Sequence, residues 1–137
     1  MSRVDFYVLA GGQPEAFACR LAEKISLLGH RVNVLVGSDE GARRLDDLMW
    51  TFRQDSFVPH ALAGAATPGD PVVIHGAEEP SAELDVLINL TPRLPECAGR
   101  TVRILEIVGP DAESKAAARH RFRAYQERDF EIEHHKI

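Results

Sequence analysis

Val32-Asn33-Val34-Leu35-Val36-Gly37-Ser38-Asp39-Glu40 packs a strand, a turn and a helix start into one short stretch. The β-branched run favours a pleated strand. Gly37-Ser38 turns the chain, and Ser38 is placed to cap a helix whose positive end Asp39 and Glu40 complement. That helix runs to about Trp50, with Ala42, Leu45, Leu48 and Met49 on its inward face. The same order holds upstream. Val4 to Leu9 is a short apolar run that reads as a buried strand. Ala10-Gly11-Gly12-Gln13-Pro14 is a turn, and Pro14 suits the first position of a helix. Phe17, Leu21, Ile25 and Leu28 then recur at helical spacing until Gly29 ends the run. Strand-helix-strand-helix is the rhythm of an α/β protein. We expect three layers, with a mostly parallel sheet of about five strands flanked by helices, Rossmann-like without a nucleotide site.

Downstream, Pro71 to His75 reads as a short strand and Leu84 to Leu90 as a central strand, apolar on both faces. Val102 to Val108 alternates, which predicts a strand with one wetter face. Gly109-Pro110-Asp111 opens a last helix over about Ala112 to Arg128, and Phe130 to Ile137 reads as an edge strand. No linker or repeat interrupts the pattern, so one α/β domain over residues 1–137 is expected.

Sixteen Lys and Arg against 21 Asp and Glu leave a formal charge of -5, unlike a duplex-binding module. Cys19 and Cys97 lack metal-ligand spacing and read as free thiols of a reducing compartment. No stretch has the length of a membrane span or the form of a signal peptide, so a cytoplasmic protein without membrane contact is expected.

Candidate chemistry is sparse. Gly11 and Gly12 stand where an α/β protein would cradle a phosphate, but GxGxxG and GxxxxGK[ST] are both absent. Asp55, Ser56 and His60 lie close together without a GxSxG elbow. Ser56 reads as a turn hydroxyl and His60 as a hydrogen-bonded structural side chain. His134 and His135 are adjacent, hence on opposite faces of a strand, and cannot readily share a metal. No catalytic residue, cofactor or metal is assigned. The last helix is more informative. Lys115, Arg119 and Arg123 form one row at i, i+4 and i+8, with Phe122 beside it. Tyr125 and the alanines face the core. Such a row is commonly a solvated face. Beside an aromatic wall it could also receive an acidic peptide with a free carboxylate, which arginine grips bidentately.

Between the second helix and the third strand lies Met49-Trp50-Thr51-Phe52-Arg53-Gln54-Asp55-Ser56-Phe57-Val58-Pro59-His60-Ala61-Leu62-Ala63-Gly64. It holds the one Trp and two of the six Phe on a segment without regular periodicity. Its aromatics either plug the core or anchor another protein. Leu45-Asp46-Asp47-Leu48-Met49-Trp50, Ser56-Phe57-Val58-Pro59-His60 and Leu62-Ala63-Gly64 together closely resemble the chi subunit of bacterial DNA polymerase III. The strand Val4 to Leu9 and the helix Ala118 to Tyr125 fit the same family, in order and across the chain.

The resemblance implies an accessory replication subunit of a DNA-directed DNA polymerase, replisome-associated and without catalysis of its own. It implies that Arg119, Phe122 and Arg123, with Lys115, bind the acidic C-terminal tail of single-stranded DNA-binding protein. The family has Arg, Tyr and Lys at the first three positions, so Phe122 lacks a hydroxyl and Arg123 changes the cation's shape. It implies that Trp50 and Phe57 hold the psi subunit of the clamp loader, on a surface for which a helicase-like repair protein competes. DNA would be reached only indirectly. The rival class is a small α/β nucleotide-binding protein or enzyme, supported by the strand-helix rhythm alone. Direct single-strand binding would need stacking aromatics along a basic groove, and one Trp, two Tyr and six Phe on an acidic chain fit it poorly.

Overall fold

A computed structural model of the chain describes residues 2–52 and 58–137. Its sheet has seven strands rather than about five: β1 (Arg3–Val8), β2 (Val32–Leu35), β3 (His60–Leu62), β4 (Val72–His75), β5 (Leu84–Asn89), β6 (Thr101–Val108) and β7 (Glu131–Lys136). Polar β7 is the edge strand expected over Phe130 to Ile137; short β3, at the other edge, is not among the expected strands, because its hydrophobic signal is weakest. Their order is β3-β4-β2-β5-β6-β1-β7, and every pairing is parallel. β5 is central, as its two apolar faces require.

Three helices cover the sheet: α1 (Pro14–Leu27), α2 (Asp39–Thr51) and α3 (Ala112–Glu127). Ser38 caps α2 as expected, its Oγ accepting from the Gly41 amide at 3.0 Å. Gly37 precedes it at φ +98°, and a Cβ there would meet Thr91 Cγ2 at 2.9 Å, so this turn requires glycine. α1 buries Ala18, Ala22 and Ile25, with Phe17 and Leu21 partly covered. Leu28 departs from the expected inward row and is exposed, because α1 ends at Leu27 before the next turn can form.

α1 and α2 cover one face, over Val34, Ile74, Ile88, Leu105 and Ile107. α3 covers the other at the β1–β6 end, over Val4, Phe6, Ile104 and Val108. A 3-10 turn at Glu96–Arg100 buries Cys97 against Leu35, Leu84 and Leu87 on that same side. Both thiols are buried and free; burial pushes Cys19 up to about 12 and Cys97 to about 11, which keeps them unreactive. No helix among the described residues is long and apolar enough to cross a membrane.

Candidate functional site

α3 begins at Asp111, whose carboxylate accepts from the Ser114 amide at 3.0 Å and the Ser114 hydroxyl at 2.8 Å. Alanines and long straight side chains carry it to Glu127, and Asp129 ends it in the left-handed region at φ 60°. Its rotation is fixed from beneath. Glu106, fully buried between Ile104 and Val108, accepts from Arg121 Nε at 3.0 Å, from Tyr125 OH at 2.7 Å and from Asn89 Nδ2 at 3.0 and 3.1 Å. Arg121 also donates to the Pro92 carbonyl at 2.9 Å. Burial pushes Glu106 above the usual carboxylate range, opposed by the Arg121 guanidinium and the hydrogen bonds from Tyr125 and Asn89. Donors on both oxygens favour the ionised form at neutral pH. Burial, then the Glu106 charge, pushes the Tyr125 phenol far up, so it remains a donor.

This network corrects one expectation: Glu106 does not lie on a wetter face of its strand. Arg121 is buried, away from the row of Lys115, Arg119 and Arg123. Tyr125 and Ala118 face the core as expected.

With Arg121 and Tyr125 turned inward, Lys115, Arg119 and Arg123 are presented along the other flank of α3. They line a groove of about 440 Å³ together with Phe6, Val8, Val108, Phe122 and His134. β1 and β6 supply the apolar floor. Phe122 is partly covered, its ring 5.9 Å from Phe6 and 5.1 Å from His134. Among the described residues, neither Lys115, Arg119 nor Arg123 is ion-paired. An apolar trough with cations along one rim can hold an anionic chain whose apolar side chain enters beside Phe122.

β7, the edge strand expected over Phe130 to Ile137, forms the far wall, a place that only its pairing with β1 reveals. Strand alternation sends His134 toward Phe6 and Phe122, and His135 toward Asp5, as their adjacency predicted. By the same alternation Lys136, in register with Val8, falls on the His134 face.

The opposite face of β7 is pinned by Asp5. Its two oxygens accept from Arg3, Arg103 and His135 at 2.9–3.2 Å. Asp5, Glu133 and His135 thereby hold their ligand atoms within 4.8 Å of one another, a grouping that sequence spacing conceals. Two guanidinium groups on the same carboxylate make this a poor setting for a cation. Desolvation alone would push Asp5 up, but hydrogen bonds from Arg3, His135 and Arg103 hold it below the ordinary range. For a depressed carboxyl, the stabilisation is present above the unfolded value, 3.8, and is lost as pH falls through the folded one. Asp5→Asn is expected to lower stability at neutral pH by about 1–3 kcal/mol, with the gap to wild type narrowing in acid. Chemical denaturation across that range checks it; a gap independent of pH would contradict the assignment.

The second candidate surface lies at the other edge of the sheet. Trp50, near the end of α2, is 53% exposed and tilts against His60 of β3 with ring centres 4.5 Å apart. It does not plug the core; Met49 and Phe52 on either side contribute to that. His60 is the structural side chain expected: buried, its Nδ1 donates to the Val58 carbonyl at 2.6 Å. Its Nε2 is 3.2 Å from Asp46 Oδ1 but out of line for a hydrogen bond. Phe57, with Asp55 and Ser56, lies outside the described residues. At the first turn, Gly12 takes φ +81° with open space around it, and Glu15 occupies the first turn of α1, a charge unsuited to phosphate.

Residues 1–133 match the family model described as "DNA polymerase III chi subunit, HolC". The chain is 36% identical over 140 residues to DNA polymerase III subunit chi of Pseudomonas aeruginosa, covering 100% of this chain and 98% of that protein. It is 31% identical over 120 residues to the subunit of the same name in Escherichia coli, covering 86% and 82%. The Haemophilus influenzae subunit chi is 31% identical over 124 residues, covering 87% and 86%. By the match across nearly its whole length, the chain belongs to the DNA polymerase III chi subunit family.

Proposed function

We propose that this chain is a non-catalytic adaptor in DNA replication, joining the clamp loader, through a psi subunit, to single-stranded DNA-binding protein. The observation that carries the reading is the groove on α3. Three cations without an ion pair among the described residues, Lys115, Arg119 and Arg123, follow an apolar floor beside the partly covered ring of Phe122. That chemistry suits an acidic tail ending in an apolar residue and a free carboxylate. The other surface, around Trp50 and Phe57, would hold the psi subunit, and a helicase-like repair protein would compete there. A bridge requires two sites that do not overlap. Trp50 lies by β3 and the groove by β1 and β7, at opposite edges of the sheet. Tethering of this kind raises local concentration without any new DNA contact.

The direct test is calorimetric titration with the C-terminal peptide of the organism's single-stranded DNA-binding protein. Binding that weakens steeply with salt is expected, since the rim cations are solvent-exposed. Absence of binding at low salt would remove the basis of the adaptor. Trp50→Ala is expected to cost about 2 kcal/mol at a psi interface, enough to lose co-purification, with peptide affinity unchanged. Loss of both activities together would mean damage to the fold instead.

A further inference from the structure

The groove on α3 does not end at Phe122. A second cavity of about 710 Å³ continues from it, sharing Phe122, Gln126 and His134 and adding Asp129, Phe130 and Ile132. The first half carries Lys115, Arg119 and Arg123; among its described lining the second carries no Lys or Arg. The row that runs through Lys115, Arg119 and Arg123 reaches Glu127 one turn later. Glu127 and Arg128 both line neither half, Arg128 lying about 100° further round the helix than Glu127. Asp129 is held by its left-handed backbone and by the hydrogen bond its backbone N–H donates to the Gln126 carbonyl at 3.1 Å. Neither Glu127 nor Asp129 is ion-paired among the described residues. The carbonyl end of α3 adds its own partial negative charge there. Glu131 also borders the second half, but its side chain alternates toward Arg3, so Asp129 carries the field within the lining and Glu127 adds to it from the end of the α3 row.

We propose that this charge gradient selects a particular ligand: a peptide whose acidic residues are confined to its carboxyl end, preceded by neutral or basic residues. The terminal carboxylate and its acidic neighbours occupy the Lys115–Arg123 half. The residues before them cross Phe122 and lie over Phe130 and Ile132, where like-charge repulsion from Glu127 and Asp129 excludes further acids. Uniformly acidic polymers are thereby rejected although the rim is basic. The inference deepens the acidic-tail reading and rests on it.

The test compares three synthetic peptides that share one acidic, apolar-ended terminus: the short form, one preceded by a run of glutamates and one preceded by serine and glycine. At low salt the glutamate form is expected to bind wild type about fivefold more weakly than the serine–glycine form. The double variant Glu127→Gln, Asp129→Asn should bind both alike; Asn tolerates the left-handed position, so the fold is kept. Equal or tighter binding of the glutamate form to wild type overturns the gradient and leaves the tail site standing. So does discrimination that persists unchanged in the double variant. If the short form itself does not bind, both the tail site and this inference fall.

Discussion

Arg121→Ala is expected to lower the unfolding free energy by about 3–5 kcal/mol, since it strands a buried carboxylate. Glu106 has no exposed surface, and among the described residues Arg121 is the one cation bonded to it. Tyr125 and Asn89 would still donate to Glu106, but two neutral donors do not replace a charge in a dry site. The sign of the pH dependence follows from the direction of the shift. Burial already raises Glu106, and loss of the guanidinium would raise it further. A raised carboxyl contributes stability fully present below its unfolded value, 4.5, and lost as pH rises through the folded one. The deficit of Arg121→Ala should therefore shrink in mild acid, and adding Glu106→Gln should recover part of it at neutral pH. Denaturant titration of the three proteins at two pH values decides the matter. A deficit below about 1 kcal/mol would mean that water reaches Glu106 after all.

Arg119→Ala combined with Arg123→Ala is expected to weaken the tail peptide by roughly 3 kcal/mol, about a hundredfold, with little change in stability. Each loses a charge-assisted hydrogen bond to a carboxylate, and among the described residues neither is ion-paired within the fold. The salt slope of binding should flatten in the double variant, because two of the three rim cations are gone. Calorimetry at two ionic strengths reads both effects. An unchanged slope would place the bound anion somewhere other than this rim.

The parallel sheet was legible wherever one physical signal dominated. Apolar runs gave β1, β2, β4, β5 and β6, and helical spacing gave the inner faces of α1 and α2. Edge strands are decided by partners that sequence periodicity does not name, which is why β3 stayed hidden in an aromatic connection. Glu106 defeats the alternation argument for a different reason: a charge in a strand looks outward until the arginine that neutralises it is known, and Arg121 lies on another element. The cation row of α3 was readable from i, i+4 spacing. The opposite wall of its groove was not, because His134 reaches Phe122 only through the pairing of β7 with β1.

That pairing has a consequence for when the site can exist. Asp5 and His135, 130 positions apart, are directly bonded, and the floor and wall of the groove come from the first strand and the last. A nascent chain still held at the ribosome can complete the β2–β5 centre of the sheet while the trough is missing a side. The proposed tail site thus waits for β7 to emerge and pair, and products truncated before β7 would not compete for its ligand.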